Sequence, residues 1–279
     1  MNNQNHNVMA FIVFYIAALF IYWVLPISEM KIILQYTVVL TSLALAVVAG
    51  MYSLHKYGSH GSKSSTLLLL TAGMFCWFMG ELIWTYDEHI LQINPFPSYA
   101  DICYLLSYPL FFLALIREIG TNHINWKSFS QSLFFMMGMT LVLMVGVVFY
   151  FGVYLAYSPD EPLLTNSIAI AYGIGDLVLI LSTMSLLILA WEFKGGALSK
   201  IWMSLFLSFL LILVADILFA IFTTYYNEAY SFYRSLTDSI WILAYLLFAH
   251  ALFNLGISIQ AAQDRLQKLL AKKPSNSIV

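Results

Sequence analysis

Apolar residues fill this chain in long blocks, and polar residues are confined to short intervals between them. Eight blocks approach the roughly 20 residues that an α-helix needs to cross a bilayer. They are 8–26, 32–54, 65–90, 99–117, 129–157, 164–192, 200–225 and 235–256. The intervals are brief: His55–Ser65, with Gly58 and Gly61; Asn94-Pro95-Phe96-Pro97-Ser98; Tyr157–Pro162, with two prolines; and Glu192–Gly196. None is long enough for a second folded domain. The pattern predicts an all-α polytopic membrane protein of about eight transmembrane helices over 1–256. It is followed by a cytoplasmic segment over 257–279.

In that last segment, Gly256 to Lys273 reads as an amphipathic helix ended by Pro274. Ile259, Ala262, Leu266, Leu269 and Leu270 make its apolar stripe. Such a helix lies on the inner leaflet or pairs with a second copy of itself in a homodimer. At the other end, Met9–Pro26 lacks a basic leader and a small-residue cleavage site, so it reads as a retained helix.

Composition sharpens this. Hydrophobic residues make up 61% of the chain and charged residues 9%, against about 25% charge in soluble domains. Lipid must be the solvent for that much apolar surface. The net charge of −2 and the lack of a basic cluster argue against nucleic acid as a partner. Cys76 and Cys103 sit inside apolar runs without a C-x-x-C pair, which supports neither a disulfide framework nor a metal site. Asp87-Glu88-His89 reads as solvated charge in an outer loop, and His250 as a hydrogen-bonded core histidine. No nucleophile or metalloenzyme motif is present, so the chain reads as a non-enzyme, and no cofactor is indicated.

Lysine and arginine orient the spans. With both termini inside, the inner segments hold Lys56, Lys63, Arg117, Lys127, Lys194, Lys200, Arg265, Lys268, Lys272 and Lys273, and the outer ones only Lys31 and Arg234. The expected location is a cell membrane with cytoplasmic termini. Trp84, Tyr86, Tyr157, Tyr225, Tyr226, Tyr230 and Tyr233 then form an aromatic belt at the outer boundary.

A repeat runs through this pattern. Ser98-x-x-Asp101-x-x-Tyr104-x-x-x-Tyr108-x-Leu110 opens the fourth span, and Ser235-x-x-Asp238-x-x-Trp241-x-x-x-Tyr245-x-Leu247 opens the eighth. The preceding spans match as well, Gly80-Glu81-Leu82-Ile83-Trp84 against Ala215-Asp216-Ile217-Leu218-Phe219. Copies four spans apart share one orientation, so a parallel four-plus-four duplication is expected. Repeats of this kind occur in transporters, whose sites lie at the repeat interface.

The repeat carries the chemistry. Glu81, Asp101, Asp176, Asp216 and Asp238 fall within or beside spans, and an acid at mid-span costs about 2.5–3.5 kcal/mol on insertion scales. Asp101 and Asp238 have the S-x-x-D spacing of a capping box with Ser98 and Ser235, and capping and ligand binding can coexist there. Glu81, Asp176 and Asp216 lie inside helices. They either tie helices together or hold a ligand, ion or proton. With no lysine or arginine expected deep in a span, they are protonated or share a cation, and an anion site is disfavoured. The candidate ligand set is these five acids with Trp84, Tyr104, Tyr108, Trp241 and Tyr245, since aromatic rings around carboxylates suit a cation.

Pro97-Ser98-Tyr99-Ala100-Asp101-Ile102-Cys103-Tyr104-Leu105, followed by Tyr108-Pro109-Leu110, resembles the P-S-x-A-D-x-x-Y-L…Y-P-L motif of a multi-pass membrane module. That module forms the N-terminal part of many bacterial diguanylate cyclases and histidine kinases, and of some archaeal proteins. Gly175-Asp176-Leu177, Ala215-Asp216 and Asp238-x-x-Trp241-x-x-x-Tyr245 are similar to its later helices, so the resemblance runs from about Gly80 to His250. It implies a membrane-embedded sensory input module. After Lys273 no output domain follows in this sequence, so the expected partner is a separate kinase or cyclase. Two other functions compete: a proton- or cation-coupled transporter or channel, and, less favoured, an intramembrane lipid hydrolase.

Overall fold

In the computed structural model, residues 2–58, 62–122, 124–125, 127, 129–226 and 231–272 are described. Among them there are eight α-helices and no strand: α1 (Asn2–Trp23), α2 (Glu29–Tyr57), α3 (Ser62–Thr85), α4 (Tyr99–Thr121), α5 (Gln131–Val148), α6 (Leu163–Glu192), α7 (Ala197–Tyr226) and α8 (Phe232–Lys272). The chain is an all-α polytopic membrane protein. Seven helices are long and apolar enough to cross a membrane, and α1 carries a shorter apolar stretch, Val8–Trp23. Beside α8, α1 is held by Tyr15, whose hydroxyl donates to Ser239 O (3.2 Å), and by Trp23, whose indole donates to Ser239 Oγ (3.1 Å).

Six helices close a ring. In order around it, α2 packs on α3, α3 on α4, α4 on α6, α6 on α7, α7 on α8 and α8 back on α2. The first helix of each half stays outside, α1 against α8 and α2, and α5 against α6. This is the architecture of a duplicated four-helix unit. Further matches fall at equivalent positions. Phe111 and Phe248, one from each half, meet at 6.1 Å between ring centroids and share Phe209 as a neighbour. With Trp77 over Phe111, these rings plug the middle of the ring. Each unit also leaves α-helical geometry five or six residues after its acid. After Glu81, α3 widens into a π-helical turn, Tyr86–Ile90, and after Asp216, α7 is irregular at Phe222.

The ends of the ring helices hold two surprises. Ser231, and not Ser235, caps α8, accepting from the Arg234 amide (3.0 Å). The helix therefore starts before the apolar block does. It also runs on for 41 residues, about 60 Å at 1.5 Å per residue, so the segment from Gly256 is the continuation of α8 and not a separate helix. Gly256 lets α2 pack closely on this stretch. A Cβ there would stand 2.7 Å from the Tyr52 ring, so only a glycine lets α2 approach. Tyr52 then donates to Gln260 Oε1 (3.3 Å), and Gln263 donates to the Lys56 carbonyl (2.9 Å). Lys273 and Pro274 lie outside the described residues.

Candidate functional site

The connections α1–α2, α3–α4, α5–α6 and α7–α8 gather at one end of the bundle, called here the loop end. Near it, the acids separate into four groups.

Asp101 is a cap. The Ser98 amide donates to its Oδ2 (2.7 Å), completing the capping box expected at α4. Its other oxygen accepts from Tyr172 of α6 (2.6 Å).

Asp176 and Asp216 face each other across α6 and α7. Their carboxyls are close neighbours. Tyr108 donates to Asp176 Oδ1 (3.1 Å) and Trp241 to Asp216 Oδ1 (2.9 Å). Gly175 makes room, since a Cβ there would stand 2.7 Å from the Tyr108 ring.

Glu81 accepts from Tyr104 at Oε2 (2.8 Å). Here too a glycine clears the way, as a Cβ on Gly80 would lie 2.9 Å from the Tyr104 ring.

Asp238 is not a cap, because α8 begins earlier than the sequence pattern indicates. It accepts from Tyr226 at Oδ1 (2.7 Å) and from Tyr22 at Oδ2 (3.0 Å).

The largest correction concerns Arg234, read from the sequence as an outer-loop charge. It lies in the first turn of α8 with its side chain 12% exposed. Its guanidinium grips Glu88 with two parallel bonds, Nη1 to Oε1 (2.8 Å) and Nη2 to Oε2 (3.0 Å). It lies over the rings of Tyr226 and Tyr36, 5.2 and 5.6 Å from their centroids, and its Nε is 3.9 Å from Asp238. Glu88 is thus not solvated loop charge. The π-turn carries it inward, where the Trp84 indole also donates to it (3.1 Å). His89 packs on Tyr36 at 5.4 Å. The belt loses Tyr226, which is buried; Tyr230 lies outside the described residues.

These groups line a cavity of about 190 Å³ between α1, α2, α3, α7 and α8. Of the expected ligand set, Glu81, Trp84 and Asp238 border it; Arg234, Glu88, His89 and Gln35 are additions. Asp101, Tyr104, Tyr108, Asp176, Asp216, Trp241 and Tyr245 do not line it. The repeat explains the split. The cavity sits where α2, α3 and α8 meet, and the equivalent junction of α6, α7 and α4 is filled by Tyr108, Asp176 and Asp216. Among the described residues, no three His, Cys, Asp or Glu side chains are placed to hold a metal ion.

At the opposite end, Glu118, an acid the sequence reading passed over, is buried and paired with Lys63. His250 shares a hydrogen bond with Asn254 (2.7 Å) and meets the Phe11 ring edge-on.

No family model matches this chain, and no curated protein or solved structure matches it either. The functional reading therefore rests on the geometry.

Proposed function

We propose that this chain is a membrane-embedded ligand-binding sensor. The loop-end cavity is its input, and the far end of α8 its output to a separate cytoplasmic partner such as a kinase or cyclase. The observation that carries this is the position of α8. Arg234 and Asp238, in its first two turns, line the cavity, and the same unbroken helix ends at Lys272. A ligand that shifts the Arg234–Glu88 pair changes the seating of α8 on α2 and α3, and a rigid helix carries the displacement along its length. The excess of lysine and arginine at the opposite end supports a cavity that opens toward the outside. The resemblance around Ser98–Leu110 points in the same direction.

A second reading is a proton-coupled transporter. The nearness of Asp176 and Asp216 favours it, since two neighbouring carboxyls within membrane helices suit a proton-loading site.

The test is a screen of small molecules by thermal shift on the wild type and on Val39→Phe. Val39 borders the cavity, so a larger ring at that position fills it. Compounds that stabilise the wild type and not the variant support the sensor's input site. Compounds that act equally on both place binding elsewhere.

A further inference from the structure

Two polar groups on the cavity wall have no protein partner for part or all of their hydrogen-bonding capacity. Gln35 of α2 is 8% exposed and borders the cavity, yet among the described residues its carboxamide makes no hydrogen bond. Glu81 of α3 receives one bond, at Oε2 from Tyr104, which leaves Oε1 open. A group that enters the cavity can therefore bond to both.

The other charged groups already have partners. Glu88 is neutralised by the two-pronged bond from Arg234. Asp238 has two phenol donors and lies 3.9 Å from the same guanidinium. Arg234 is in turn occupied by Glu88, Tyr36 and two ring faces, so it has little left for an anion. Glu81 is then the carboxyl that keeps an oxygen without a protein donor. Apart from His89, whose ring packs on Tyr36, the rest of the wall is aromatic or aliphatic: Trp84, Tyr22, Tyr36, Tyr226, Ile32 and Val39.

Taken together, and resting on the cavity as the input site, we infer that its ligand is a small organic monocation. Its ammonium group meets Glu81 Oε1 and the Gln35 carbonyl oxygen, and its apolar body lies among the tyrosine and tryptophan rings. Ammonium groups are attracted to ring faces as well as to carboxylates. A dry cavity of about 150 Å³ takes up a benzene ring, so the 190 Å³ here accommodates an amine of that size. A metal ion is a poorer occupant, because it needs several free anionic oxygens and the neighbouring carboxylates are engaged.

The experiment uses the full chain in detergent micelles and measures dissociation constants for benzylamine, n-butylamine, benzyl alcohol and benzoate. The expected result is binding of both amines, with benzyl alcohol at least tenfold weaker and benzoate not bound. Glu81→Gln, which keeps the acceptor for Tyr104, weakens benzylamine at least tenfold; Gln35→Leu weakens it several-fold and serves as the second variant if Glu81→Gln does not fold. Amine binding unaffected by both substitutions overturns the inference. So does benzyl alcohol or benzoate binding as tightly as benzylamine; if Val39→Phe abolishes that binding, the cavity still stands as the input site and only the ligand class falls. No binding by any of the four overturns the cationic ligand, and the wider screen against Val39→Phe then decides whether the cavity binds anything.

Discussion

Tyr104 donates to Glu81 on the neighbouring helix (2.8 Å), and the structure repeats that bond at the equivalent positions of the second half, where Trp241 donates to Asp216 (2.9 Å). An acid on the third helix of each unit is thus satisfied by an aromatic donor on the fourth. Replacing the donor leaves a half-buried carboxyl short of one bond, at about 1 kcal/mol. Tyr104→Phe and Trp241→Phe are each expected to lower the thermal midpoint of the purified protein. Midpoints equal to wild type in both would mean that the two bonds contribute nothing to stability.

Arg234 and Glu88 join α8 to α3 inside the cavity wall. Removing one partner strands the other, which costs about 3–5 kcal/mol in a fully buried pair and less here, where the side chains are 12% and 24% exposed. Arg234→Met and Glu88→Met should each destabilise strongly, and the double variant less than the sum of the two. A double variant with the full additive loss would contradict a direct coupling between them.

Glycines divide by what they face. Ala at Gly80 or Gly175 drives a methyl into the Tyr104 or Tyr108 ring, whereas Ala at Gly138 or Gly146 meets nothing within 4 Å. Overpacking costs about 1–3 kcal/mol, so the first two substitutions should lower the unfolding midpoint and the second two leave it unchanged or slightly higher. Equal effects across the four would show that the rings do not seat on those glycines.

Orientation is open to a direct check. Asp160→Cys lies in the α5–α6 connection at the loop end, and Lys194→Cys in the α6–α7 connection at the opposite end. In intact cells, a membrane-impermeant thiol reagent should modify the first and spare the second. The reverse pattern would place the cavity on the cytoplasmic side.

The helices and their number were legible because a bilayer imposes long apolar blocks, and the repeat because its acids and aromatics keep their spacing. The capping role of Asp101 was legible from Ser98. The same spacing misled at Asp238, because Ser231 caps α8 one turn earlier and carries Arg234 into the helix. Arg234 then looked like a loop charge, and with it hidden, Glu88 looked solvated. Which acids border open space was not legible at all. Asp176 and Asp216 fill one junction of the ring while Glu81 and Asp238 border the equivalent one, and only the packing of Tyr108 against Gly175 separates the two cases. The extension of α8 through Gly256 was hidden for a similar reason. The Tyr52 ring of α2 packs over that glycine, a contact between residues far apart in the chain.

The sensor reading requires occupancy at one end of α8 to be felt at the other. Spin labels at exposed positions near the far end of α2 and α8, His55→Cys and Ala262→Cys, in a Cys76→Ser, Cys103→Ser background, report that distance. Measured with and without a compound that stabilises the wild type and not Val39→Phe, the distance distribution should shift on binding, and should stay fixed when Val39→Phe is added. A distribution unchanged by a bound compound would contradict transmission along α8, leaving a binding protein that does not signal through this helix.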